Sequence, residues 1–266
     1  MKLYTRINDG KLAEFDRGNA DNAEFWSKHW GKNSVENSLK KSEKGYLGGS
    51  KYLLKFIKKN DKVLEAGCGK GQIVAAFDYL GIDVVGLDFS EDIIQEIKDY
   101  RSDLKVQTGD IRDLQFKDKE FSVYLSFGVI EHFDNPKDVE IILEEAKRVT
   151  SRLIYFSVPY FSPAIKNKVD TLESAGNTST DKFYQYYFDK NEIEKLLLKN
   201  GLKIHKTSYY ATYVGLKRYN KLFNALNKFY VFRFAFVRLK STLDVLFGKK
   251  YAHMMGLWTY EFDDKN

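Results

Sequence analysis

The chain has little of what several protein classes depend on. It holds a single cysteine, Cys68, in 266 residues, so no internal disulfide framework can staple it, and a reducing, cytoplasmic compartment suits it. Only three prolines and no low-complexity run argue against collagen-like or disordered scaffolds. No window approaches the roughly eighteen uncharged apolar residues that a transmembrane helix needs. The opening Met1-Lys2-Leu3-Tyr4-Thr5-Arg6 meets charge at once, without the apolar stretch of a signal peptide. Histidine is scarce at four. No second pair of ligands stands at metal spacing from Glu131-His132, so no metal is expected.

What is present suffices for a core. Hydrophobic residues make up 43% of the chain and charged ones 30%, with 18 Tyr, 20 Phe and 3 Trp. That supports one large domain with elaborations, or one domain and a small cap. A net charge of +6 would suit nucleic acid or anionic membrane if it were spread out. It is concentrated instead. Residues 211–256 hold nine Lys/Arg against one acid, Asp244, so they carry +8 and leave −2 on the other 220. That faintly acidic remainder has no extended basic footprint, and nucleic acid is not expected as a partner. Within the basic stretch, Tyr219, Leu222, Phe223, Leu226, Phe229 and Tyr230 share a helical face. Three roles stay open for it. It could cap an acceptor pocket and attract an acidic or phosphorylated substrate. Its apolar run Phe229–Leu239, around Arg233 and Arg238, could make peripheral membrane contact. Or it could be a solvated helix pair or dimer surface, so the oligomeric state stays open.

From Asp61 short apolar runs alternate with amphipathic segments. The patterns predict strands at 62–66, 83–88, 104–108, 121–127, 152–158, 202–209 and 258–262, and helices at 72–80, 91–100, 137–149 and 190–199. Pro136 opens the third of these helices, and Asn200-Gly201 closes the fourth. Such alternation implies an α/β fold with a doubly wound, mostly parallel, seven-stranded sheet. Residues 20–58 read as helical, and 160–182 as a long loop.

The strongest local signal is Glu65-Ala66-Gly67-Cys68-Gly69-Lys70-Gly71-Gln72, at the junction of a predicted strand and helix. Glycine there lets the backbone turn sharply and approach a ligand closely, and Cys68 fits because a small side chain is needed. The helix start beyond favours an anionic group. The spacing is Gly-x-Gly-x-Gly, not the dinucleotide Gly-x-Gly-x-x-Gly. Asp88 closes the next strand, where an acid can accept both ribose hydroxyls of a nucleoside, with Phe89 beside the base. A third strand ends in Gly109-Asp110-Ile111, and a fourth in Phe127-Gly128-Val129-Ile130-Glu131-His132. Four strand ends with ligand-competent chemistry thus fall on the carboxyl edge of one sheet.

These motifs resemble those of class I S-adenosylmethionine-dependent methyltransferases, of the group that modifies small molecules. The resemblance covers about 61–209 and the last strand at 258–262. It implies that Glu65, Gly67 and Gly69, with Cys68 and Gly71 in the same loop, cradle the methionine part of the cofactor. It assigns Asp88 to the ribose and Phe89, Asp110 and Ile111 to the adenine. Phe127 would offer its carbonyl to the methionine ammonium, with Val129 and His132 near the sulfonium. The implied organisation is an N-terminal helical segment over the cofactor site (1–60), the core (61–210), the basic insert as a cap (211–256) and the last strand (257–266). The implied reaction moves a methyl group to an oxygen or nitrogen of a small-molecule acceptor.

His132 is the candidate general base, since imidazole titrates near neutrality; a local capping hydrogen bond is the plainer role. Tyr160, Tyr184, Tyr186, Tyr187 and His29 could line the acceptor pocket or simply pack, and Trp26 and Trp30 could cover the cofactor or the core. Ser157-Val158-Pro159-Tyr160 resembles the Pro-Pro-Tyr motif of base-amine methylation but follows the fifth strand rather than the fourth. A non-catalytic cofactor-binding regulator on the same fold is the alternative to an enzyme.

Overall fold

The alternation that begins at Asp61 is realised as a sheet of seven strands. The structure is a computed structural model and describes residues 7–8, 11–14, 34–133, 135–176, 178–182 and 185–261. Its strands are β1 (Ile7–Asn8), β2 (Lys11–Glu14), β3 (Lys62–Ala66), β4 (Asp83–Asp88), β5 (Val106–Thr108), β6 (Phe121–Phe127), β7 (Thr150–Pro159), β8 (Thr178–Lys182), β9 (Leu202–Tyr210) and β10 (Met254–Glu261). The helices ahead of the basic stretch are α1 (Val35–Ser42), α2 (Gln72–Tyr79), α3 (Glu91–Tyr100), α4 (Pro136–Val149), α5 (Pro163–Ser174) and α6 (Lys190–Lys199). The basic stretch forms α7 (Thr212–Tyr219), α8 (Lys221–Asn227), α9 (Tyr230–Arg238) and α10 (Lys240–Tyr251).

The main sheet runs β5-β4-β3-β6-β7-β10-β9. β5, β4, β3, β6 and β7 pair in parallel, and β10 lies antiparallel between β7 and β9. Alternate side chains of the central strands feed two cores. Val63, Val123 and Leu125 point to the side covered by α1, α2 and α3. Leu64, Ala66 and Tyr124 point to the side covered by α4 and α6. Burial on both faces is why these strands read as continuous apolar runs. Asn135 and Asp189 cap α4 and α6 by accepting the N–H of Lys137 and Asn191.

Four expectations change. Residues 1–60 are not all helical: β1 and β2 lie there, and β2 pairs with both β1 and β8 in a separate three-stranded sheet, while Gly48–Lys55 is a 3-10 helix. The long loop at 160–182 contains α5 and β8. Ile165, Val169 and Leu172 are buried at helical spacing in α5, but polar residues between them hide the period. β5 begins at Val106, not Leu104. The last strand starts at Met254, so the insert's helices stop at Tyr251. Met255 and Trp258 are fully buried in β10.

Candidate active site

β3 ends at Ala66, and the chain must turn at once to enter α2. Gly67, Gly69 and Gly71 make that turn at φ of 80°, 50° and 69°, a region that costs an L side chain roughly 1–2 kcal/mol. Gly67 carries a second constraint, because a Cβ there would stand 2.4 Å from Val129 Cγ2. The Gly67 and Cys68 N–H groups both donate to the Leu87 carbonyl, at 2.8 and 3.0 Å. The Gly69 N–H donates to Asp88 Oδ2 at 2.7 Å, and the Ser90 N–H to Oδ1 at 3.0 Å. The loop is thereby fastened to the end of β4. Cys68 lies inside it, and burial raises its thiol well above the usual range, which removes it as a nucleophile.

The loop, the ends of β4 to β6 and α1 enclose a cavity of about 620 Å³. Glu65, Gly67, Cys68, Gly69, Asp88 and Phe89 form its wall at the first two strand ends. Asp110, Ile111, Phe127, Val129 and His132 continue it at the next two. Gly71 is the exception among the expected ligand residues. It caps α2 and faces Ile97 Cδ1, 3.2 Å from where its Cβ would be, and it is not on the wall.

Electrostatics give this cavity a sign. Glu65 is buried, and loss of solvent holds its carboxyl well above the usual range; the backbone N–H of Val74 opposes this and the charge of Asp88 adds to it. Among the described residues its Oε2 has no hydrogen-bond partner. Burial also raises Asp88, against the N–H groups of Ser90, Gly69 and Phe89. Two such carboxyls in one cavity favour a ligand that brings positive charge or several donors. Asp110 behaves differently. Burial opposes its ionisation, but Arg112 outweighs this and holds it below the usual range. The guanidinium reaches both Asp110 oxygens, with Nη2 2.7 Å from Oδ2 and Nε 3.1 Å from Oδ1. Any ligand amino group must therefore share Asp110 with Arg112.

His132 ends a 3-10 turn, Ile130–His132, whose closing N–H donates to the Val129 carbonyl at 3.1 Å. Glu131 is not on the wall, and its Oε1 is 3.2 Å from where a Cβ on Gly128 would stand. It is buried with Oε2 unpartnered among the described residues, and loss of solvent pushes it up to about 8.

Sequence reasoning missed one wall entirely. Asn37, Ser38 and Lys41 of α1, with Tyr46 and Leu47 beyond it, face the cavity, and Gln72 Nε2 donates to the Ser38 carbonyl at 3.2 Å. The capping pattern at Ser34 could have located α1, but no local signal says which cavity it faces. Arg112 was missed as well, although its place two residues after Asp110 is a common turn spacing. Tyr160 and Tyr186 are buried in the core and Tyr187 packs near Phe161; none of the three lines the cavity. His29, Tyr184, Trp26 and Trp30 lie outside the described residues. No residue of 211–256 is on this wall.

Residues 64–153 match the family described as a methyltransferase domain, and they contain every wall residue from Glu65 to His132. Over that stretch the chain is similar to methyltransferase domains, and its sheet has the Rossmann-like fold of class I methyltransferases. An uncharacterized methyltransferase of Schizosaccharomyces pombe is 30% identical over 114 residues, 38% of this chain and 40% of that protein. A ubiquinone biosynthesis O-methyltransferase of Pelagibacter ubique is 25% identical over 160 residues, 56% of this chain and 64% of its own length. The chain therefore spans less than two thirds of either relative. The crystal structure of magnesium protoporphyrin IX methyltransferase from Synechocystis, with bound S-adenosylhomocysteine, superposes with a TM-score of 0.56. It shares 13% identity and covers 92% of this chain and 97% of its own, which is a likeness of fold. A probable S-adenosylmethionine-dependent methyltransferase of Mycobacterium tuberculosis is 26% identical over 141 residues, 52% of this chain and 47% of that protein, and the wall suits such a cofactor. It offers a buried carboxylate oxygen awaiting a donor, a ring at Phe89, and backbone at Gly67 that no Cβ obstructs.

Proposed function

We propose that this protein transfers a methyl group from S-adenosylmethionine to an oxygen or nitrogen of a small-molecule acceptor in a reducing, cytoplasmic setting. The observation that carries this reading is the meeting of Glu65, Asp88 and His132 on one cavity. Glu65 Oε2, buried and unpartnered among the described residues, would receive the donors of the methionine ammonium, aided by the Phe127 carbonyl. Asp88 would hold the ribose hydroxyls, Phe89 the base, and Asp110 and Ile111 the adenine edge. When bound, the cofactor supplies a methyl group already activated on a sulfonium. Holding an acceptor in line with that methyl group would supply much of the rate. His132 takes the proton that an alcohol or phenol acceptor releases. The buried Glu65 and half-buried Asp88 carboxyls support the binding steps, and the position of His132 on the same wall supports the proton step.

Calorimetric titration with S-adenosylmethionine and S-adenosylhomocysteine, followed by a methyl-transfer assay over phenol, alcohol and amine acceptors, tests this. Micromolar binding with turnover is the expected result. Binding without turnover on any acceptor favours a regulator on the same fold, and failure to bind either compound refutes the reading.

A further inference from the structure

The stretch from Thr212 to Tyr251 folds on a small core of its own. Leu216, Phe223 and Leu243 are buried together, with Tyr213, Phe236 and Tyr251 against them. α7 crosses the end of α10 so closely that a Cβ on Gly215 would fall 1.7 Å from the Tyr251 carbonyl oxygen. The only acid of the stretch points inward, where Asp244 Oδ1 accepts the Thr212 N–H at 3.0 Å. The insert is thus anchored, and what it leaves outside is not loose chain.

What it leaves outside is apolar and cationic at once. α9 buries no residue. Tyr230, Val231, Phe234 and Val237 are exposed on it, Val231 by 74%, and Val245 and Leu246 of α10 are exposed by 84% and 66%. Arg238 lies 3.8 Å over the Phe234 ring and Arg233 5.8 Å over Tyr230. Among the described residues, none of the nine Lys/Arg of 211–256 is within ion-pair distance of a carboxylate. Exposed large apolar side chains clustered this way mark an interaction surface. Long basic side chains beside them can keep their charges among headgroups while the rings sink.

The geometry points to an anionic lipid bilayer as the partner, with α9 and the start of α10 lying in its interface. Charge decides against the alternatives. A second copy would set +8 against +8, and aliphatic side chains such as Val231, Val237 and Leu246 have no use in a groove of nucleic-acid phosphates. No helix among the described residues is long and apolar enough to cross a membrane, so the contact is one of lying on the surface. Topology gives it a consequence. Met254 at the start of β10 pairs with both Pro159 and Tyr210, the ends of β7 and β9, so the insert emerges at the sheet edge that holds the cavity. If methyl transfer is the activity, docking sets that edge against the bilayer.

Flotation of the full chain with phosphatidylcholine vesicles, with and without phosphatidylglycerol, tests the surface without any activity assay. Binding to the anionic vesicles alone, weakened by salt, is expected. Arg233→Gln with Arg238→Gln should lower that partitioning by about 30-fold at low salt, and the defect should shrink as salt screens both proteins. Val231→Ser with Phe234→Ser should lower it at every salt concentration. Both pairs are exposed and neither belongs to the cavity wall, so S-adenosylhomocysteine affinity should be unchanged and reports the fold. Equal binding of variant and parent, retention on RNA without vesicle binding, or a dimer abolished by the same substitutions would each overturn the proposal.

Discussion

Replacing Gly67 by alanine separates backbone from packing in the cofactor loop. The new Cβ would stand 2.4 Å from Val129 Cγ2 at a φ of +80°, so two penalties combine. A left-handed backbone costs a side chain roughly 1–2 kcal/mol whatever surrounds it. The overlap adds roughly 1–3 kcal/mol, because Val129 must shift from its seat on the loop. Only the second depends on Val129. In a double-mutant cycle with Val129→Ala, about 1–3 kcal/mol of the Gly67→Ala loss should be recovered and the remainder retained. Urea denaturation of the four proteins measures this, and thermal midpoints should move about 2 °C per kcal/mol for a chain of this length. S-adenosylhomocysteine titrations over the same cycle should show affinity lost in the single variant and partly regained in the double one. If Gly67→Ala costs the same with and without Val129→Ala, the steric reasoning is wrong.

Glu131 is pushed up to about 8 from 4.5 by burial, so the folded protein holds a proton that the unfolded chain releases. Stability should therefore decline as pH rises from about 4.5 towards 8. Glu131→Gln should flatten that slope and raise stability at alkaline pH by on the order of 5 kcal/mol; an unchanged slope in chemical denaturation would exclude Glu131 as its source. Asp88→Ala strips the Gly69 N–H of its acceptor and should weaken S-adenosylmethionine binding by about 10- to 100-fold in calorimetry. His132→Ala should lower turnover by about 100-fold or more while cofactor affinity holds. A matching loss of affinity would make His132 a binding residue instead.

Much of the core was legible because its signals are local. β3, β4, β6, α3 and α6 fall where periodicity puts them, and apolar strands covered on both faces leave the strongest trace. α5 was not legible, since only Ile165, Val169 and Leu172 are buried among polar neighbours. The glycine loop was readable from strand–turn–helix context. That Gly71 stands behind the wall was not, because its neighbour Ile97 comes from another helix. Asp110 was found from its strand end, but its bond to Arg112 depends on side-chain geometry within the turn.

The sequence by itself determined the sheet, the turn after β3 and the acids at the strand ends, because apolar period and the demand for a positive φ act over a few residues. Tertiary structure alone decided which groups share a cavity. It brought α1 to the wall, kept Glu131 off it and left Glu65 Oε2 without a partner among the described residues. It also brought the +8 stretch to the sheet edge that holds that cavity. The sequence shows how many cations α9 and its neighbours hold. Which of them meet solvent, and beside which rings, follows from packing between segments far apart in the chain.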